Sequence, residues 1–510
     1  MNVPLSRLLI RLMACFFVVL PSRATAEPEV YTPARVLSEA MANNPEFRAS
    51  LLDILAARYA HDAAKNTRVP VLVGSLDAQQ SENFMATGAG IVRNENRLVL
   101  GSIGVRYTSE IGTSLEISFS GSAQERRINR DAATTFLVNT GPFYSLQTTL
   151  TARQPILRGA GRAANLATIR LAEQAATLAE SQAAELTSAL IRDLLIAYWE
   201  LWYAERALEV QRSSLALTER QEAETRARFE ILGMAARVDA LAFATEASVL
   251  RESVRAADAT RRNSAAQLGA LLGYRSELSH QIAPEAEPPP VIPLERPDNL
   301  LELALQHSPE FRSLEAEIES LRIELAQKRN EKRAKLDAVA SAGLAGLYTD
   351  DELPGLRLPQ GRPAVVITGG LELELPLGPS QASAEYQRAV ARIQAAEARV
   401  EGRKLAIDAE IASLVESIEE AIARHELAEE TQRIAEELAE AERARLELGT
   451  TTGFDVLRAQ QNARETALRG LRARVDAVIG RLRLEHLIGG LLDRFALDVT
   501  DPTDPKGESS

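Results

Sequence analysis

The chain carries one cysteine, Cys15, and it lies inside an apolar stretch at the N-terminus. Residues 1–26 read as a secretory signal: Arg7 and Arg11 precede the run Leu12–Leu20, and Ala24-Thr25-Ala26 fits a small-residue cleavage site at Ala26. Cleavage there leaves a chain without thiols, suited to an oxidising compartment. The alternative is lipidation at Leu12-Met13-Ala14-Cys15, which Arg7 and Arg11 leave with almost no apolar segment in front. Past residue 26 no apolar run approaches the roughly 18 residues of a membrane helix, so any passage through a bilayer requires strands.

Other scarcities narrow the function. Five histidines, His61, His280, His307, His425 and His486, never stand at ligand spacing, so no metal site is expected. Phosphate-cradling glycine loops and nucleophile–base patterns are absent, so neither a cofactor nor an enzyme is expected. The net charge of -13 argues against nucleic acid, which requires clustered Lys and Arg. Aromatics make up only 5% of the residues, while Ala, Leu, Glu and Arg dominate, which is the composition of long helices.

What is present is a duplication. Gly233–Gly273 and Gly449–Gly489 align without a gap, sharing Gly233 with Gly449, Asp239 with Asp455, Leu241 with Leu457 and Gly273 with Gly489. A second correspondence matches Pro45-Glu46-Phe47-Arg48 to Pro309-Glu310-Phe311-Arg312. The expected organisation is a signal (1–26), a first repeat (27–283), a Pro-rich linker (284–297), a second repeat (298–494) and a polar tail (495–510).

Within the first repeat, Thr32 caps a helix from Pro33 to about Thr67, kinked at Asn44-Pro45. Between Val69 and Pro155 the apolar period changes from 3.6 to 2, predicting strands near 71–80, 97–108, 112–121 and 144–154, with Ala123–Pro142 as an exposed loop. Leu157 to Leu232 then reads as one unbroken helix of about 75 residues, near 110 Å long. The turn at Gly233 sends a shorter helix, Ala236–Leu272, back along it. The second repeat follows suit, with a helix over Asn299–Arg333, strands at Leu336–Tyr348 and Val365–Leu375 around a loop over 350–363, a long helix over Ser380–Leu448, and a return helix over Phe454–Gly489. In each repeat the two shorter helices together match the long one, so they should stack end to end beside it.

The fold class is therefore mainly α with a β portion: duplicated long helical hairpins, forming a coiled-coil-like α-barrel, joined to strands of a transmembrane β-barrel. So few strands per half cannot close a barrel, and Ala-rich rods bury their stripes only against copies of each other. Several copies must combine.

At this point the residues carry a resemblance. Asn44-Pro45-Glu46-Phe47, Gln154-Pro155-Ile156-Leu157, Ala197-Tyr198-Trp199, Ala227-Arg228-Phe229 to Gly233 with Asp239, Pro376-Leu377, and Ala444–Gly449 with Asp455-Val456-Leu457 resemble the TolC-type outer membrane efflux proteins over nearly all of the chain beyond residue 26. The resemblance implies a homotrimer with a twelve-stranded barrel in the outer membrane and a helical tunnel through the periplasm. It implies a passive exit duct for a tripartite efflux or type I secretion system, served by a periplasmic adaptor and an inner-membrane pump. One departure stands out: the first half carries an extra hairpin near 97–121, which either joins the barrel or lies outside it. The competing reading is a soluble periplasmic coiled-coil scaffold or adaptor.

The resemblance also suggests roles. Asp239 and Asp455 are candidates for acidic rings at the periplasmic gate, with Arg458 as a partner across chains. Locally, Thr452-Gly453-Phe454-Asp455 reads as a capping box, and Arg458 as a solvated surface residue. The tips, Gly233, Met234, Gly449, Thr450 and Thr452, resemble the family's adaptor-docking surface, and the glycines also serve to close the turns. Tyr107, Phe119, Tyr144 and Tyr348 are candidates for the aromatic girdle of the barrel. Tyr198, Trp199, Trp202 and Tyr203 form a cluster expected to pack between helices.

Overall fold

A computed structural model describes residues 29–87, 90–130, 138–232, 237–275, 282–292, 299–348 and 364–495. The signal segment, the end of the linker (293–297), the tail beyond 495, the loop over 350–363, and the tip residues Gly233 and Met234 lie outside the described residues. In chain order the elements begin with β1 (Glu29–Tyr31), α1 (Pro33–Asn43) and α2 (Pro45–Asn66), followed by β2 (Val71–Thr87), β3 (Gly90–Thr108), β4 (Ser114–Arg130) and β5 (Val138–Pro155). Next come α3 (Arg162–Asn165), α4 (Ala167–Leu232), α5 (Arg237–Leu271) and β6 (Ile282–Pro284). The last are α6 (Leu300–His307), α7 (Pro309–Glu331), β7 (Lys335–Tyr348), β8 (Ala364–Glu374), α8 (Gln381–Glu447), α9 (Gly453–Leu487) and α10 (Gly490–Arg494).

The chain packs as two compact units, and each draws segments from both halves of the sequence. The first comprises Met1–Arg48, Ser188–Asp298 and Ala412–His486. Its aromatic core is where the sequence places it: Tyr198, Trp199 and Trp202 are buried, with Tyr198 and Trp199 meeting edge to face at 4.8 Å. The Tyr198 hydroxyl donates to the Tyr31 carbonyl at 2.9 Å and accepts from the Ala286 N–H at 3.1 Å, which holds the strand pair β1–β6 against α4. Arg206 and Arg474 stack on Trp202, so packing accounts for this cluster.

Helix α1 starts as expected, with the Thr32 hydroxyl accepting from Arg35 N–H at 3.3 Å and Pro33 in the first turn. Asn44 both ends α1 and starts α2: its side-chain oxygen accepts from the Glu46 and Phe47 N–H groups at 2.8 and 3.0 Å. Its amide donates to the Leu271 carbonyl at 2.8 Å, tying the break to the end of α5.

The second unit comprises Ala49–Thr187, Asn299–Ile411 and Leu487–Ser510 and contains the sheet. Six strands pair antiparallel in the order β2-β3-β4-β5-β7-β8. The extra hairpin is β3–β4, and it lies within this sheet, between β2 and β5.

Three expectations change. Ala123–Pro142 is not one long loop: β4 runs to Arg130 and β5 starts at Val138. Cross-strand partners sustain these polar extensions, as where Arg126 Nε donates to Asn94 Oδ1 at 3.0 Å and Gln124 Nε2 to Asn96 Oδ1 at 3.0 Å. The long helix starts at Ala167 rather than Leu157, because Gly159 and Gly161 take φ of 84° and 85°, outside the helical region. The helix expected over Asn299–Arg333 breaks at Ser308, where Pro309 lacks an N–H and restricts the residue before it.

Candidate functional site

Alternation along the strands gives the sheet two chemically different faces. One transverse row of register partners reads Leu72, Val105, Ile117, Leu150, Ala342, Ile367. The next on the same face reads Gly74, Ile103, Phe119, Thr148, Leu344, Val365. These side chains face no other described part of the chain: Leu72 is 69% exposed and Ile367 77%, and Leu76, in the next row, is 80% exposed. The opposite face is mostly polar or small, with the row Ser75, Ser102, Ser120, Gln147, Ala345, Ala364, while Val71, Val73, Leu100, Leu347 and Val366 are apolar exceptions. Here Ser75 and Ser102 hydroxyls meet at 2.8 Å, Ser122 and Ser145 at 2.6 Å, and Arg106 donates to Glu116 at 2.7 Å.

The apolar band has defined ends. One end row holds Tyr107 and Leu115, and the other holds Val99, Ala123, Tyr144 and Tyr348, beyond which Arg97 and Glu125 begin a charged zone. The two rows lie about 27 Å apart along the strands, or about 21 Å in height at a tilt near 40°, comparable to the roughly 25 Å apolar belt of membrane barrels. Of the girdle candidates, Tyr107 thus sits at one end, Tyr144 pairs with Tyr348 at the other, and Phe119 lies midway. A continuous apolar face this size, with no other described residue covering it, marks a surface for lipid.

The end of the sheet near Pro155 is anchored. In the β3–β4 turn, Gly112 takes φ 92°, and a Cβ there would lie 2.6 Å from the Gly159 carbonyl oxygen. Arg68 donates to the Ser109 carbonyl at 2.6 Å and also to the Asn165 carbonyl. Gly161 N–H donates to the Ile111 carbonyl at 3.1 Å, and Asn165 Nδ2 donates to the Gly159 and Gly161 carbonyls at 2.7 and 2.9 Å. The anchors through Arg68, Ile111 and Gly112 were not legible in advance, since they join residues far apart in the chain.

The second candidate region is the pair of hairpin tips in the first unit. Gly449, at φ 71°, closes α8 with two backbone bonds, Thr450 N–H to the Arg445 carbonyl at 2.9 Å and Gly449 N–H to the Leu446 carbonyl at 3.1 Å. This is the left-handed helix stop in which glycine avoids the Cβ clash. Asp455 Oδ2 then accepts from the Thr452 hydroxyl at 2.7 Å and the Thr452 N–H at 3.3 Å, while Asp455 N–H donates back to Thr452 Oγ1 at 3.4 Å. The capping box is formed. These bonds, Thr452's hydroxyl foremost, hold the Asp455 carboxyl below its ordinary value.

Asp239 is engaged elsewhere: its Oδ1 accepts from Gly453 N–H, the first N–H of α9, at 2.9 Å. The acid of one tip thus caps the return helix of the other, above a small core of Phe243, Val456 and Leu457. Arg458 is exposed and makes no hydrogen bond or ion pair with another described residue. It lines, with Asp455, Val238, Leu241 and Phe454, an open hollow beside the tips. Val238, Leu241 and Phe454 are large, apolar and more than half exposed, and sequence reasoning passed them over as ordinary helix residues. Among the described residues no three His, Cys, Asp or Glu side chains could hold a metal ion, and no helix is long and apolar enough to cross a membrane.

Residues 300–490 match the family described as outer membrane efflux protein. Comparison with curated proteins gives no match. Among solved structures, the chain is similar to a membrane protein from Pseudomonas aeruginosa, with TM-score 0.64 and 19% identity over 90% of this chain and 92% of that one. It is similar to CusC, whose structures concern transmembrane channel formation, with TM-score 0.65 and 14% identity over 90% and 92%. It is also similar to the outer membrane protein VceC of Vibrio cholerae, with TM-score 0.64 and 18% identity over 90% and 96%. At these identities the shared property is the fold.

Proposed function

We propose that this chain, whose residues 300–490 belong to the outer membrane efflux protein family, works as the exit duct of an export machine in the outer membrane. The observation that carries the reading is the sheet: one face apolar and exposed across six strands, the other mostly polar or small, and both edges unpaired among the described residues. An uncovered face of this kind is unstable in water, and unpaired strand edges are prohibitive in lipid. Lipid against one face and further copies at the edges resolve both problems. Family and fold are those of transport channels rather than enzymes.

The finer reading is a homotrimer whose sheets close one barrel, whose helices line a periplasmic tunnel, and whose hairpin tips meet a periplasmic adaptor that links it to an inner-membrane pump. The exposed Val238, Leu241 and Phe454 beside the tips give an adaptor helix apolar surface to bind. Asp239, Asp455 and Arg458 are the gate candidates: copies of the two carboxylates around one axis would repel each other and attract cations. Their capping bonds within one chain support a structural role that is compatible with this one. Gly233, Met234, Gly449, Thr450 and Thr452 form the proposed docking surface, and Tyr107, Tyr144 and Tyr348 the girdle. The tandem repeats supply the internal symmetry for six similar hairpins around the axis.

The test is fractionation. Detergent extracts of the outer membrane should contain the chain as a trimer that resists dissociation until heated, and deleting it should abolish an export phenotype. Recovery as a soluble protein without detergent would favour the scaffold reading, which leaves the exposed apolar face without a physical role.

A further inference from the structure

We infer that each copy contributes all six strands to the wall, so that three copies close a barrel of eighteen strands, with β8 of one copy pairing with β2 of the next. This rests on the trimeric reading above and departs from the twelve strands that the resemblance implies.

Three observations carry it. The apolar rows cross β3 and β4 without interruption, Val105 beside Ile117 and Ile103 beside Phe119, and the polar rows on the other face do the same. A hairpin lying outside the wall would have no reason to share this two-faced pattern. Next, the β3–β4 turn is fixed at the sheet's anchored end, through Gly112 against Gly159, Ile111 on Gly161 and the Glu110–Arg162 ion pair at 2.5 Å. Finally, five successive antiparallel pairings leave β2 and β8 running in opposite directions. The outer edge of β8 therefore meets the outer edge of β2 from an identical copy in antiparallel sense, which continues the sheet without a break. Both edge strands place large exposed apolar residues on the lipid face, Leu72 and Leu76 on β2, Ile367 and Leu371 on β8, so that face runs on across the junction. Barrel diameter grows nearly linearly with strand number, so the opening would be roughly 1.5-fold wider than that of twelve strands.

Engineered disulfides in outer membrane vesicles test this, because the sequence beyond Cys15 has no cysteine. Two pairs, Ser75→Cys with Ser102→Cys and Ser120→Cys with Gln147→Cys, join register partners and should each close within one chain. Ser75→Cys with Gln147→Cys should not, since three strand spacings, roughly 14 Å, exceed disulfide reach. Thr368→Cys on β8, combined in turn with Val71→Cys, Val73→Cys, Ser75→Cys or Asp77→Cys on β2, should link separate chains and give a denatured ladder ending at three.

A Ser75–Gln147 bond in place of the first two would put the hairpin outside the wall and overturn the inference. A fully cross-linked ladder ending at two chains would mean twelve strands from two copies, and also overturn it. If the within-chain bonds form but the chain is a soluble single copy, the exit-duct reading itself fails, which is a separate result.

Discussion

Gly489 lies against the backbone of His307 so closely that a Cβ there would stand 2.6 Å from the His307 carbonyl oxygen. The equivalent glycine of the first repeat, Gly273, meets Asn43 in the same way, with a Cβ 2.7 Å from its carbonyl oxygen. Both glycines have positive φ, 80° and 78°, and both neighbours directly precede the residue before a helix-breaking proline, Pro45 or Pro309. Gly489→Ala and Gly273→Ala should each destabilise by about 1–3 kcal/mol, combining left-handed strain with a backbone clash. The check is a lower dissociation temperature of the detergent-extracted assembly, and equal effects at both sites would show that the two joints are equivalent.

Asp239 gives a second prediction. Asp239→Ala removes the acceptor for Gly453 N–H and should cost about 1 kcal/mol, as the loss of a helix N-cap does, while Asp239→Asn retains the bond and most of the stability. If the carboxylate also serves as a gate, both variants should weaken block of single channels by multivalent cations, since both remove the charge. Bilayer recordings beside melting curves separate the two roles.

At Asp455 the prediction concerns pH. Its carboxyl is held below the ordinary value of 3.8, so the folded tip favours the ionised form. The stabilisation is therefore complete at neutral pH, starts to fall below about pH 4 and is lost as pH drops through the lowered folded value. Amide-exchange protection at Thr452 and Asp455, corrected for intrinsic rates, should fall in that acid range, and Asp455→Asn should abolish the pH dependence. Thr452→Ala removes the principal donor and should shift the loss to higher pH.

Much of this architecture was legible because local signals coincide with tertiary ones. The change of apolar period near Val69, the Asn44-Pro45 break and the glycine stop at Gly449 each act within a few residues of their cause. What escaped reading depends on partners distant in sequence. The segment from Ala123 to Arg130 has loop-like composition and becomes a strand because β3 lies beside it with Asn94 and Asn96 in register. The capping bond of Asp239 could not be read locally because its donor, Gly453, belongs to the other repeat. Counting strands was possible from the sequence, whereas deciding that the extra hairpin lies between β2 and β5 required the pairing itself.

The sheet's orientation can be tested with two neighbours in sequence. Phe119 lies in the middle of the apolar band, and Ser120 points to the opposite face in the row of Ser75, Ser102 and Gln147. Phe119→Arg places a charge against lipid near mid-depth and should cost about 2–4 kcal/mol, enough to reduce the assembled protein in the outer membrane several-fold. Ser120→Arg places the same charge in the aqueous lumen and should leave assembly near the wild-type level, changing conductance and ion preference instead. Heat-resistant oligomer measured on gels, with conductance of the purified channel, reads both arms. The reverse pattern would mean that the serine face meets lipid, and the exit-duct reading would lose the observation on which it stands.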